Sequence, residues 1–362
     1  MTRELRALTS ARGVAAWLVV LYHIRGSIAG LPDAALALFG KGYLAVDFFF
    51  LLSGFVIWLR YAEPMRRDGL RAVPSFLQRR VARIWPLHAF LLVGALALAL
   101  LLRATGRAAE QFPLAELPLH ALLLQNWGFT HALAWNDPAW SISCELGAYL
   151  LFPLLALTID WRRVPTAAVV AAIVALLALL HSVFAAHAAP GLGYDIPRLG
   201  LIRCIFEFAA GTAIGALWRR WDTAPRRPAL VAALTALAAL LAWAAGAPET
   251  LAVPAAFAAL LLALALTAGR RGNPLEGKLL HSLGEISYAT YLSHYLLWIA
   301  FKLVFVRNAV IGWPLVGLYL ALVLATSVAL YRWIERPAQK WLNGLRLDLR
   351  LKRPKAPPAP RG

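Results

Sequence analysis

About ten apolar stretches, each near the length that crosses a hydrocarbon core, constrain this chain to one kind of fold. They lie near 13–28, 42–59, 86–102, 139–158, 165–186, 198–218, 229–246, 251–268, 284–305 and 314–333, separated by short polar breaks. Of the 362 residues, 61% are hydrophobic and 15% charged. A soluble domain carries roughly a quarter charged residues, so water is not the main solvent here. In lipid every backbone polar group must be satisfied within its own segment, which selects helices. The expectation is an all-α polytopic membrane helix bundle forming one domain over 1–344. A basic, proline-rich cytoplasmic tail, 345–362, has too little apolar area to order itself and would lie against anionic lipid.

Segment 118–135, LPLHALLLQNWGFTHALA, interrupts a short apolar run with Gln125, Asn126 and two histidines. It reads as a short re-entrant or interfacial piece, not a crossing. Basic residues test that choice, because they accumulate on the cytoplasmic side. With ten crossings and both termini cytoplasmic, most of the 36 lysines and arginines fall inside; an eleventh crossing would move every basic cluster after residue 159 outside. The first apolar run holds Tyr22, His23 and Arg25 and lacks a small-residue cleavage pattern, so it is a retained helix. The net charge of +18 sits in loops beside apolar helices, not on a soluble face, and argues for no nucleic-acid partner. Cys144 and Cys204 both fall within spans and support no disulfide framework. Spans 165–186, 229–246 and 251–268 are nearly all Ala, Leu and Val, which suits scaffold packing.

Ionisable groups inside a membrane are costly and are the default functional candidates. Arg12 and His23 stand eleven residues apart, about three turns or roughly 16 Å along one helical stripe. That places Arg12 at the cytoplasmic boundary and His23 deep in the span, where a neutral imidazole can take up and return a proton. Asp47, among phenylalanines in the outer half of the second span, requires a partner or a proton; Gly54 suits close helix approach. Arg80 and Arg83 share a face just inside the membrane, where guanidinium pairs match phosphate oxygens. In NDPAWSISCELGAY, Pro138 suits a helix start, Asp137 its cap, and Ser141 and Glu145 share a face. His23, Asp47 and Glu145 come out at similar depth, which suggests convergence on one level of the bilayer. LGEISYATYLSHYLLW sets Ser287, Tyr291 and His294 on one stripe, suited to a site or to an interhelical aromatic belt. A local Arg203–Glu207 pair one turn apart is the simplest account of those two charges. No Walker loop, HExxH helix or G-x-S-x-G elbow occurs, so metal chemistry and nucleotide hydrolysis have no support in the sequence.

Together, R-x10-H from Arg12 to His23, GYLAVDFFFLLSGFVI, RRVARIWP, AWSISCE, LGEISYATYLSH and the closing ERP resemble the membrane acyltransferase 3 family, which includes bacterial sugar O-acetyltransferases. The pieces keep the family's order over nearly the whole chain. The resemblance implies an enzyme of the bacterial plasma (inner) membrane. It would transfer an acyl group, commonly acetyl from acetyl-CoA, to a hydroxyl of an extracytoplasmic or lipid-linked carbohydrate, and no metal is implied. Arg12, Arg80 and Arg83 would then hold CoA phosphates, and His23 would be either general base or transient acyl carrier. Asp47 or Glu145 would orient the imidazole, while Trp140, Ser141, Tyr291 and His294 would shape the acceptor side. Two features depart from the pattern: Trp17 stands among the usual small residues of the first helix, and a short basic tail takes the place of the hydrolase-like domain of some members. The contrasting class is a proton-coupled transporter of a small solute, since buried His, Asp and Glu also relay protons. It predicts internal repeats, and none is evident.

Overall fold

The computed structural model describes residues 5–270, 272–306 and 309–345; the basic tail beyond Leu345 lies outside them. Among the described residues the chain forms fourteen α-helices and no strand beyond one isolated bridge. They are α1 (Arg6–Ile24), α2 (Asp33–Gly40), α3 (Ala45–Asp68), α4 (Val73–Ala104), α5 (Leu117–Ala121), α6 (Ala139–Thr158) and α7 (Thr166–Ala186). There follow α8 (Ile196–Trp221), α9 (Arg226–Ala244), α10 (Glu249–Thr267), α11 (Lys278–Glu285), α12 (Ser287–Phe305), α13 (Trp313–Leu330) and α14 (Arg336–Gly344). Eight helical stretches are long and apolar enough to cross a membrane, and the one covering 33–104 contains both α3 and α4. The 19-residue α12 is as long as several of these but carries the polar stripe of Ser287, Tyr291 and His294, which lowers its apolarity. The protein is an all-α, multi-pass membrane bundle.

Side-chain links follow the alternation that the loop charges imply. At one end Lys41 pairs with Glu249 at 2.9 Å, and Ile28 bridges Ile311. At the arginine-rich end Arg66 meets Asp160 at 3.2 Å, and Arg220 donates to Thr166 at 2.8 Å. Each link joins segments assigned to the same side, and the second end is the one that carries the basic loops. The helices α7 and α9 turn leucine and valine outward, as lipid-facing scaffold does.

Segment 118–135 does not cross. After the single turn of α5 it runs irregularly, with Leu123 and Trp135 in the left-handed region (φ 58° and 61°). Its polar residues plug the bundle: Gln125 donates to the Ala139 carbonyl (3.2 Å), Asn126 to that of Ile196 (2.8 Å), and Trp127 to that of Ser143 (3.0 Å). Irregular backbone is tolerated at membrane depth when protein groups satisfy it in this way.

Two features clamp α3 to α8. A Cβ on Gly54 would strike the Phe208 carbonyl, and one on Gly211 the Leu51 carbonyl, so the backbones touch where both lack side chains. Nearer the outer end, Arg203 of α8 grips Asp47 of α3 with both arms of the guanidinium, Nε to Oδ1 at 2.6 Å and Nη2 to Oδ2, while Nη1 donates to the Leu192 carbonyl at 3.0 Å. Both side chains are fully buried. This corrects the expectation of a local Arg203–Glu207 pair. The planar fork of Arg203 reaches across to a neighbouring helix and finds bidentate geometry there, while Glu207 stays buried next to the pair.

Candidate active site

Two cavities lie end to end in the bundle. The inner one, about 160 Å³, is lined by Arg12, Arg80, Arg83, Ser53, Glu145 and Tyr149 among others. The outer one, about 340 Å³, is lined by His23, Tyr22, Arg25, Tyr43, Asp137, Trp140, Arg203 and Tyr295. Tyr291 lines both. Its hydroxyl is bonded to Ser141 Oγ (2.9 Å) and donates to the Pro138 carbonyl (3.1 Å), so α12 is pinned to α6 at the septum between them. The stripe on α12 runs through that septum: Ser287 lies on the inner cavity, Tyr291 between the two, and His294 at the imidazole of His23.

The inner cavity is cationic. Arg12 comes from α1 and donates to the Gly284 carbonyl at 2.9 Å. Arg80 and Arg83, both from α4, stack over Tyr61 and Tyr288 at 5.1 and 5.2 Å. A π-helical turn, Tyr331–Glu335, presents the buried Glu335 to Arg83 in an ion pair. Such turns concentrate at functional sites, and Glu335 is the first residue of the closing ERP. The Nε atoms of Arg12 and Arg80 are buried without a hydrogen-bond partner. Buried guanidinium N–H groups aimed at a cavity suit phosphate oxygens.

Glu145 belongs to this inner cavity, not to the surroundings of His23. It accepts from Tyr149 at 3.0 Å and lies close to Ser53 and Arg80. Asp47 is engaged by Arg203. The expected convergence of His23, Asp47 and Glu145 on one level therefore does not form. Helical rise sets depth, whereas the rotation of each helix decides which neighbour a side chain meets.

His23 instead meets His294, whose Nε2 lies 3.1 Å from His23 Nδ1. The tautomers follow from the carbonyls. His294 Nδ1 faces the Thr290 carbonyl at 3.1 Å and His23 Nδ1 faces that of Val19 at 2.9 Å; a carbonyl only accepts, so both Nδ1 atoms carry the proton. His294 Nε2 is then an acceptor for His23 Nδ1–H, and the lone pair of His23 falls on Nε2. Tyr22 and Tyr295 set their rings against the imidazole, at 5.0 and 5.2 Å between centroids. Arg25 covers the Tyr22 ring at 4.1 Å. Asp137 does not cap α6: burial raises its pKa, while the Tyr295 hydroxyl bonds to the carboxyl and offsets part of that rise. Tyr43, a wall of the outer cavity, is held by Glu249, which also accepts from the Leu192 N–H at 3.1 Å. Tyr22, Tyr43, Asp137 and Tyr295 were not singled out as site residues in the sequence, where aromatic and loop residues near a helix end carry no distinguishing signal.

Comparison with known proteins identifies the family. The acyltransferase 3 family model, an acyltransferase domain, matches residues 5–332. The chain is 31% identical over 331 residues to acyltransferase MdmB of Streptomyces mycarofaciens, covering 81% of this chain and 79% of that one. It is 32% identical over 152 residues to protein 2 in the picA locus of Rhizobium radiobacter, covering 38% and 75%. No solved structure matches the chain. With the family domain spread over nearly the whole bundle and cavities opening on the path between its two ends, the chain belongs to the acyltransferase 3 family and is a membrane acyltransferase.

Proposed function

We propose that the protein transfers an acyl group, most simply acetyl, from cytoplasmic acyl-CoA to a hydroxyl of an extracytoplasmic or lipid-linked carbohydrate at the bacterial inner membrane. The observation that carries this reading is the pair of cavities meeting at Tyr291, arginine-lined on the cytoplasmic side and histidine-and-aromatic on the other. Arg12, Arg80 and Arg83 would bind the donor's phosphates, and the unpartnered buried N–H groups of Arg12 and Arg80 fit that role. The pantetheine arm would lie along the inner cavity with its thioester at the septum. Tyr22, Tyr43, Trp140 and Tyr295 offer ring faces and hydroxyls suited to a sugar ring.

In the proposed step His23 Nε2 accepts the proton of the acceptor hydroxyl as its oxygen attacks the thioester carbonyl carbon. The C–S bond then breaks and the imidazolium returns the proton to the leaving thiolate, giving an ester and CoA thiol. The Val19 carbonyl and His294 Nε2 both accept from His23 Nδ1–H and so leave its Nε2 free, and His23 is assigned the general-base role in preference to acyl carrier. The Tyr291 hydroxyl, at the junction, is placed to donate to the developing oxyanion once its proton leaves the Pro138 carbonyl.

The test is mass spectrometry of envelope glycans and glycolipids from cells carrying the wild-type gene, no gene, or His23→Ala. An acyl mass present only with the wild type supports the reading. Full acylation by a folded His23→Ala protein refutes the mechanism.

A further inference from the structure

A third cavity, about 190 Å³, lies at the cytoplasmic rim in the crook between the end of α3 and the start of α4. Arg60, Tyr61, Ser75, Phe76 and Arg79 line it. Tyr61 links it to the inner cavity through Arg80, which lines that cavity and donates to the Tyr61 hydroxyl at 3.1 Å; the Tyr61 ring packs edge-on against Phe76 at 5.1 Å. Successive helical residues point about 100° apart. Arg79 thus serves the rim cavity and its neighbour Arg80 the inner one.

Nearby arginines of the same rim are neutralised. Arg66 meets Asp160 at 3.2 Å, Arg67 meets Asp68 at 2.9 Å, and Arg162 meets Asp160 at 3.0 Å. Arg60 and Arg79 make no ion pair among the described residues, although both face the rim cavity. Two uncompensated guanidinium groups, a hydroxyl and two aromatic rings suit a phosphorylated nucleoside.

We propose that this vestibule binds the 3′-phosphorylated adenosine end of the donor. Arg60 and Arg79 take the 3′-phosphate, and Tyr61 and Phe76 form the apolar floor under the base. The inference rests on acyl-CoA being the donor and goes beyond it in naming a separate subsite. An acyl-CoA is a linear molecule, with nucleotide, diphosphate, pantetheine and thioester in that order. The protein offers features in the same order: the rim cavity, the arginines Arg80, Arg83 and Arg12, the inner cavity, and Tyr291 next to His23.

The experiment titrates full-length protein in lipid nanodiscs with CoA and with dephospho-CoA, which lacks only the 3′-phosphate. Wild type is expected to bind CoA about tenfold or more tightly than dephospho-CoA, the worth of one charge-assisted contact. Arg60→Ala and Arg79→Ala should each weaken CoA binding by about tenfold and change dephospho-CoA binding by less than about twofold. Both side chains are exposed, so the fold tolerates their loss, and Arg79→Lys should retain part of the affinity. Equal weakening of both ligands, or no change for either, overturns the subsite and leaves Arg60 and Arg79 as topology-setting charge. Wild-type protein that binds neither ligand overturns the donor assignment itself, a failure visible without any variant.

Discussion

The Asp47–Arg203 pair gives the sharpest stability prediction. Both partners are fully buried, joined by two charge-assisted hydrogen bonds, with a third from Arg203 to the Leu192 carbonyl. Removing one partner of such a pair typically costs about 3–5 kcal/mol, because the surviving charge stays buried, whereas replacing both by apolar residues of similar volume is often neutral. Asp47→Leu should sit near the low end, about 3 kcal/mol, since Glu207 lies next to Arg203 as a substitute counter-ion. Arg203→Met leaves Asp47 and Glu207 together with no cation and should cost about 3–5 kcal/mol. The Asp47→Leu/Arg203→Met double variant should recover to within about 1–2 kcal/mol of wild type. Unfolding in mixed micelles titrated with sodium dodecyl sulfate, followed by tryptophan fluorescence, measures all four corners of this double-mutant cycle. Additive losses, or single losses below about 1 kcal/mol, would refute the claim that Asp47 serves mainly to balance Arg203.

Other outcomes follow from the site. His23→Ala should lower acyl transfer in membrane vesicles containing the native acceptor by about 10²–10⁴-fold while acetyl-CoA binding stays unchanged; loss of binding would relocate His23 to the donor site. His294→Phe keeps a ring against His23 but removes one of the two acceptors for its Nδ1–H, leaving the Val19 carbonyl. Transfer should slow by about tenfold at unchanged KM for acyl-CoA, and an unaffected rate would argue against tautomer control. Glu335→Gln leaves Arg83 without its counter-ion and should weaken CoA binding in calorimetry by about tenfold, with equal affinity counting against the positioning role. Gly211→Leu must push apart the α3/α8 contact and should abolish folded, monodisperse protein in detergent.

Much of this molecule is legible along the chain because apolar length, charge bias and helical rise are local properties. They are enough to place most of the spans, the segment that does not cross, and Arg12 and His23 at two different cavities along α1. The close approach at Gly54 was legible for the same reason. Partners were not. His23 and His294 are 271 positions apart, and Asp47 and Arg203 are 156 apart. Which face of each helix meets which neighbour depends on rotation about the helix axis and on packing order, and no local pattern encodes either. Glu145 shows the limit most plainly: the sequence set it level with His23, but it lies in the arginine cavity with Arg12. The sequence by itself determined the solvent and the helices. Only the tertiary structure decided which charges share a cavity, since burying a charge in lipid forces it onto whichever neighbouring helix offers a counter-ion or a hydrogen bond.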